Sequence, residues 1–196
     1  METKEIKELL ISALVLAFIF GFAYSEGFGN LGGLIIYFPI SLMVVSLGFV
    51  LHELGHRTIA KKFECHAEYR FWKQGLLLAI LITFLTNGNL IFAAPGAVMI
   101  YPKADLWGRA ASLTRKRMGL ISVAGPAVNI SLAAIFILLN FLFPSFIFSL
   151  GAFINFLLAA FNMIPFPPLD GSKIFAWNKK IWIALLIPLI ILYILL

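Results

Sequence analysis

The sequence predicts an all-α polytopic membrane protein with about five to six transmembrane helices. Of its 196 residues, 62% are hydrophobic and only 12% are charged, whereas soluble domains are about half apolar and a quarter charged. The apolar residues lie in long runs separated by short basic loops, which is typical of a chain that crosses a bilayer repeatedly. This length accommodates five or six spans with short connections, so we expect a single domain over residues 1–196.

The net charge of +6 indicates membrane orientation rather than a nucleic-acid partner. Apart from two lysines before the first apolar run, all Lys and Arg residues fall in 57–73, 102–118 and 170–180, and the turns 24–33 and 144–146 contain none. Positive residues favour the cytoplasmic side of a membrane. We therefore expect a multi-pass protein of the cell membrane, with the N-terminus and the basic loops toward the cytoplasm and the lipid bilayer as its surroundings.

The first apolar run, Leu9–Tyr24, predicts a retained transmembrane helix. A signal peptide begins with a cationic segment, but the two lysines here alternate with the acidic residues Glu2, Glu5 and Glu8. We expect these three glutamates to form one solvated face at the start of the helix.

The second helix is predicted from about Leu34 to about Phe63, and it carries the pattern H-E-x-x-H as His52, Glu53 and His56. Two histidines four residues apart lie on the same helix face, where both imidazoles can bind one metal ion. The glutamate then lies beside the metal and can accept a proton from water. Because residues 34–51 contain no charge, a metal site is predicted near the cytoplasmic end of a membrane helix.

The apolar stretch 75–101 is ambiguous, because Asn87-Gly88-Asn89 divides it into halves shorter than the ~20 residues a span requires. A single crossing would put the basic loops 57–73 and 102–118 on opposite sides of the membrane. A segment that enters and returns keeps both on the cytoplasmic side. We therefore predict a re-entrant segment, which must lie against protein or a water-filled cavity.

The second half of the chain predicts a basic loop at 105–118, including Arg109, and a helical hairpin of 119–143 and 145–169. A last span over 181–196 is slightly short and is expected to begin near Ala176. Amide side chains inside a bilayer are functional candidates, here Asn129, Asn155 and Asn162. Hydrogen bonding between helices is the alternative for Asn155.

A third metal ligand is expected because catalytic zinc sites use three protein ligands and one open position. Asp170 follows FNMIPFPPL, where three prolines prevent a regular helix at the cytoplasmic edge. Capping of the following helix is the alternative role for Asp170. Cys65 and His66 are adjacent, lack a spaced partner, and are interpreted as surface residues.

Three motifs together resemble the site-2 protease family of intramembrane zinc metalloproteases. They are HELGH at 52–56 at the end of a membrane helix, GPAVN at 125–129, and NMIPFPPLDG at 162–171. The resemblance covers residues 34–173, the expected core, and is to a compact form without PDZ or CBS domains.

The resemblance implies one Zn²⁺ per chain held by His52, His56 and Asp170, with Glu53 as the general base. It also implies that Asn129 and Asn162 line the site and that AAPGAV at 93–98 forms a β-like loop in the membrane. The implied activity is hydrolysis of peptide bonds in or near transmembrane segments of protein substrates, as in regulated intramembrane proteolysis. An amide N–H of Asn129 is a candidate donor to the oxyanion.

The substrate must be extended, because helical carbonyls are already hydrogen-bonded. Pro95 and Gly96 disfavour helix and are followed by Ala97 and the β-favouring Val98, so we expect this segment to offer a strand edge to unwound substrate. Two other functions remain open: a membrane metal transporter or sensor, and an inactive relative that binds transmembrane helices. The sequence leaves the substrate and the oligomeric state open.

Overall fold

A computed structural model describes residues 3–93, 95–103 and 112–196 of the chain. Glu2, Ala94 of the 93–98 segment, and part of the predicted basic loop, including Arg109, lie outside the described residues. In order, the described elements are α1 (Thr3–Tyr24), a 3-10 helix (Gly27–Gly33), α2 (Leu34–Lys62), β1 (Cys65–Phe71), α3 (Lys73–Leu85), β2 (Gly96–Pro102), α4 (Arg115–Leu142), α5 (Phe146–Asn162), α6 (Asp170–Trp177) and α7 (Lys179–Leu195).

Three helical segments of the described chain are long and apolar enough to cross a membrane. They are α1, the continuous segment Gly27–Lys62 that includes α2, and α4. Helices α3 and α5 are apolar but shorter. By length and composition the chain is a membrane protein with three candidate spanning helices among the described residues, and the expected count of five to six is not confirmed.

Helices α1 and α2 are antiparallel neighbours. Glu5 pairs with Arg57 at one end, and near the other end the backbone of Gly21 packs directly against Phe38. The predicted solvated face on α1 is wrong, because Glu5 and Glu8 are only 1% and 7% exposed. Basic side chains and backbone N–H groups from distant parts of the chain supply the partners that allow these carboxylates to be buried.

The two strands form an antiparallel sheet, so the fold is not entirely α-helical. The register runs from Cys65↔Pro102 to Phe71↔Gly96. Strand β2 begins within the segment 93–98, which was expected to form a β-like loop.

The segment between the strands leaves the sheet and returns to it. Helix α3 runs toward the far end of α1, where Asn87 Oδ1 accepts a hydrogen bond from Phe28 N–H (2.7 Å). At the end of the segment, Trp72 N–H donates to Pro95 O (2.9 Å). Both ends of this excursion therefore lie at the sheet, and its re-entry into a membrane stays a prediction.

Small residues let α4 and α5 approach α2 closely. A methyl group at Gly55 would lie 3.1 Å from the carbonyl oxygen of Ala124 in α4, and Gly48 faces the side chain of Asn155 in α5. Close helix approach at small residues is common in membrane proteins. The contacts bring three helices together around the HELGH motif.

The chain from 163 to 169 is irregular and leads from α5 into the short helix α6. Helix α7 then begins at Lys179, where Asn178 Oδ1 accepts hydrogen bonds from the N–H groups of Lys180 and Ile181. The last long helix therefore does not begin near Ala176, because α6 ends at Trp177 and the Asn178 cap separates the two helices.

Candidate metal centre

Two imidazoles and one carboxylate converge at the C-terminal half of α2. The ligand atoms of His52, His56 and Asp170 all lie within 4.8 Å of one another, and all three residues are buried. Asp170 Oδ2 is 3.3 Å from His52 Nε2 and 3.0 Å from His56 Nε2, and the two Nε2 atoms are 3.0 Å apart. Helix α2 supplies the histidines one turn apart, and the irregular segment before α6 brings in the aspartate.

The other nitrogen of each imidazole is fixed by a hydrogen bond. His56 Nδ1–H donates to the carbonyl oxygen of Ile121 (2.8 Å), which can only accept. His52 Nδ1–H donates to Asn129 Oδ1 (2.5 Å), because the amide nitrogen of Asn129 is used elsewhere. In both imidazoles the Nε2 atom is therefore left as the electron-pair donor, which is the arrangement found for metal-binding histidines.

The spacing of the three donors fits a zinc ion. Zinc bonds of about 2.0–2.2 Å to nitrogen and oxygen, in tetrahedral geometry, put neighbouring ligand atoms about 3.3 Å apart. The observed separations of 3.0–3.3 Å are close to this value. Three donors this near to one another require a positive charge between them, and the donor set of two imidazoles and a carboxylate suits zinc.

The Asp170 side chain faces the two histidines and does not cap a helix. The N-cap of α6 is Leu169, without a side-chain capping bond. The Oδ2 atom of Asp170 faces the Nε2 atoms of both histidines. Its second oxygen lies 3.4 Å from Lys173 Nζ, a positive charge that favours the ionised carboxylate.

Glu53 lies beside the cluster with a free oxygen. The residue is 6% exposed, and its Oε2 atom is buried without a hydrogen-bond partner. Burying an unpartnered carboxylate oxygen is costly, so its position calls for a functional explanation. An oxygen free of protein partners is available to a water molecule.

Asn129 links three helices behind His52. Its Nδ2 group donates to Gly48 O in α2 (3.2 Å) and to Asn155 Oδ1 in α5 (2.9 Å). Asn155 Nδ2 in turn donates to Gly151 O (2.9 Å), so Asn155 makes the interhelical hydrogen bond considered as its alternative role. Both N–H groups of Asn129 are engaged, and this geometry favours a role in orienting His52 over the expected donation to an oxyanion.

The candidate site residues converge on one cavity, whose volume is about 10 Å³, roughly the space that one water needs. Pro95 to Val98 form its strand wall, and Asn162, whose Nδ2 donates to Leu158 O (2.9 Å), lies on its α5 side. Its lining includes each of the following candidates: His52, Glu53, His56, Pro95, Gly96, Ala97, Val98, Asn129, Asn162 and Asp170.

Two site features were missed from the sequence. Lys173 Nζ lies 3.3 Å from Val98 O as well as close to Asp170, and it was identifiable only as a basic residue three positions after the aspartate on a short helix. Gly125 lies where any side chain would collide with the Nε2 atoms of both histidines. It belongs to the GPAVN motif, but no sequence pattern indicates why glycine is needed there.

Cys65 and His66 do not join the cluster. His66 is exposed, as expected. Cys65 is buried among apolar residues that include Ala60 and Ile121, so its interpretation as a surface residue is wrong. It lies in β1 on the same side of the strand as the buried residues Ala67 and Tyr69.

Comparison with known proteins gives two relatives with a common description. A Methanocaldococcus jannaschii protein named "Putative zinc metalloprotease MJ0611" is 40% identical over 192 residues, which cover 95% of this chain and 91% of that protein. A Bacillus subtilis protein named "Putative zinc metalloprotease YwhC" is 31% identical over 165 residues, 71% of each chain. No family model matches the chain, and no solved structure gives a significant match.

The similarity to the Methanocaldococcus jannaschii protein extends over nearly the whole chain and establishes a common family. The buried His-His-Asp cluster and the names of both relatives agree on zinc as the cofactor. The chain belongs to the zinc metalloprotease family that these two proteins represent.

Proposed function

We propose that this protein is an intramembrane zinc metalloprotease of the site-2 protease type, which hydrolyses peptide bonds in or near transmembrane segments of membrane proteins. One observation carries the proposal: the candidate zinc ligands His52 and His56 lie on a helix whose apolar length suffices to cross a membrane. A peptide bond reaching these ligands would be at the depth of the membrane helices. Substrates of this kind are transmembrane proteins.

In this proposal His52, His56 and Asp170 are the zinc ligands. Zinc bound by two imidazoles and a carboxylate supplies a water of lowered pKa and polarises a carbonyl group. Asn129 and the Ile121 carbonyl hold the imidazoles in the binding orientation through their Nδ1–H groups.

Glu53 is proposed as the general base and acid. Its free Oε2 atom accepts a proton from the water that attacks the peptide carbonyl, and the same oxygen then delivers the proton to the leaving amine. The buried position of this carboxylate excludes bulk water, which otherwise competes for the proton. A metal transporter or sensor has no use for an unpartnered carboxylate beside the ligands, so Glu53 favours hydrolysis over those functions.

The outer edge of β2 is proposed as the place where extended substrate pairs. In an antiparallel ladder, the backbone groups of successive residues point alternately toward and away from the partner strand. This ladder ends at two hydrogen bonds, from Trp72 N–H to Pro95 O and from Lys103 N–H to Glu64 O. Gly96, Val98 and Ile100 therefore have outward-facing backbone groups, and the Val98 carbonyl indeed meets Lys173 instead of β1.

The proposal is tested with a single-span membrane peptide and three purified proteins: wild type, Glu53→Gln and Glu64→Gln. Glu64 is an exposed residue just beyond α2 and serves as the matched control. We expect cleavage by wild type and Glu64→Gln, none above background by Glu53→Gln, and equal zinc content in all three. Zinc retained with no cleavage of any spanning peptide would point to the inactive helix-binding alternative.

A further inference from the structure

Two buried carboxylates on α1 lie away from the metal cluster and have no part in the proposed chemistry. Glu5 and Glu8 are three residues apart, so they share a helix face with Ser12, one turn further on. Ser12 Oγ is hydrogen-bonded to the Tyr69 hydroxyl (2.8 Å). This face of α1 is therefore directed at β1.

Glu5 and Glu8 bind the backbone of β1. Tyr69 N–H donates to Glu5 Oε1 (2.9 Å), and Phe71 N–H donates to Glu8 Oε2 (3.1 Å). These two N–H groups point away from β2 in the ladder, at positions where a further strand would supply carbonyl oxygens. The carboxylates thus take the place of a neighbouring strand and close the β1 edge.

Glu5 also joins the sheet to the motif helix. Its carboxylate pairs with Arg57, the residue directly after the ligand His56. A single buried group therefore contacts α1, α2 and β1, while Glu8 adds a contact with Arg70 (3.3 Å). Ion pairs that are this buried are sensitive to loss of one partner, so the position of the sheet relative to the metal ligands depends on them.

The opposite edge of the sheet is left for a substrate. With the β1 edge closed, a chain that adds to this two-stranded sheet must add to β2, whose Val98 lines the cavity of the metal cluster. Exposed strand edges pair readily with other chains, and closing one edge removes the unproductive site.

We propose that Glu5 and Glu8 are positioning residues, which close the β1 edge of the sheet and fix its β2 edge beside the metal cluster. The inference rests on the proposed function, because it assigns the open edge to an extended peptide substrate. It predicts that these carboxylates govern substrate binding without touching substrate or zinc.

The test compares the double variant Glu5→Leu/Glu8→Leu with Glu5→Gln/Glu8→Gln, which keeps a side-chain oxygen at both positions. Glu26→Gln is the control, because Glu26 is exposed and lies just beyond the far end of α1. Hydrogen exchange of the Tyr69 and Phe71 amides is followed by mass spectrometry on full-length protein in bilayer discs. We expect exchange at least tenfold faster in the leucine variant, close to wild-type exchange in the glutamine variant, and no change in α2 or α4.

Kinetics with a single-span peptide give the second measurement. We expect the leucine variant to raise KM about tenfold or more, with zinc content retained and kcat changed less, and the glutamine variant to restore most of the loss. Should the double leucine variant fail to fold, Glu8→Leu against Glu8→Gln gives the same comparison at Phe71 alone.

Three outcomes would overturn the inference: unchanged exchange at both amides, faster exchange with unchanged KM, or a fall in kcat that follows loss of zinc. Failure of the proposed function looks different. In that case the wild-type protein cleaves no spanning peptide although its Tyr69 and Phe71 amides are protected and the leucine variant exposes them.

Discussion

Replacing Asn129 with leucine should weaken zinc binding without removing any zinc ligand. The substitution keeps a side chain of similar size but removes the oxygen that accepts from His52 Nδ1–H, so the His52 ring loses its fixed tautomer and orientation. Loss of such a hydrogen-bond partner typically reduces metal affinity 10–100-fold, which corresponds to about 1.4–2.7 kcal/mol. It also removes the second donor to Gly48 O, which keeps its helix hydrogen bond. Asn155 Oδ1 loses its donor, at about 1–3 kcal/mol if water does not replace it.

The two effects are separable by measuring zinc affinity and stability independently. Zinc affinity is measured in detergent by competition with a chelator of known affinity, and stability by the thermal midpoint of the zinc-free protein. Asn129→Asp keeps an acceptor for His52 but loses the donors, so its zinc affinity should lie closer to wild type than that of Asn129→Leu. Ser122→Ala is the control, because Ser122 lies on the same helix, is buried, and its hydroxyl has no hydrogen-bond partner.

Zinc binding as tight as wild type in a normally folded Asn129→Leu would show that the hydrogen bond from His52 to Asn129 does not support the metal site. A loss of affinity in Ser122→Ala as large as that in Asn129→Leu would also contradict this role, since the effect would then reflect general disturbance of α4. Equal losses in Asn129→Leu and Asn129→Asp would show that the bonds to Gly48 and Asn155 matter and the bond to His52 does not.

Two further predictions concern the walls of the cavity. Gly125→Ala should lower zinc content at least tenfold, because its methyl group would lie against the Nε2 atoms of His52 and His56. This loss is expected although alanine favours helix over glycine by about 1 kcal/mol. Gly29→Ala is the control, because its methyl group would enter open space, and equal zinc content in the two variants would contradict the prediction. Val98→Pro removes an outward-facing N–H without breaking the ladder, so kcat/KM for a spanning peptide should fall about fivefold or more, the worth of one hydrogen bond. Ile100→Pro makes the same change further from the cavity and should have a smaller effect; similar kinetics for the two proline variants would exclude pairing at Val98.

The metal cluster could be anticipated because its determinants are local. The i, i+4 spacing of His52 and His56 places both imidazoles on one face of any helix. Three prolines before Asp170 prevent a regular helix in the preceding segment, and the aspartate is the first residue of the helix that follows it. That the aspartate lies close to the two histidines was inferred from the resemblance to a known family. In the structure the ligand atoms of the three side chains lie within 4.8 Å of one another.

The surroundings of the cluster depend on contacts between distant residues. Glu5 and Glu8 seemed solvated because their partners, Arg57 and the N–H groups of β1, lie more than fifty residues away. The hydrogen bond from His56 to the Ile121 carbonyl has no sequence signature, because every residue carries a backbone carbonyl. The burial of Cys65 could not be predicted for the same reason, since it follows from the pairing of β1 with a strand about 30 residues later.

X-ray absorption at the zinc edge of the purified protein shows whether His52, His56 and Asp170 hold the zinc ion. We expect one zinc per chain with only nitrogen and oxygen neighbours at about 2.0–2.2 Å, two of them imidazoles. In His56→Ala the zinc content should fall, whereas Cys65→Ala should leave the spectrum unchanged. A sulfur neighbour at about 2.3 Å, or full zinc content in His56→Ala, would contradict this set of ligands and show that other residues bind the metal.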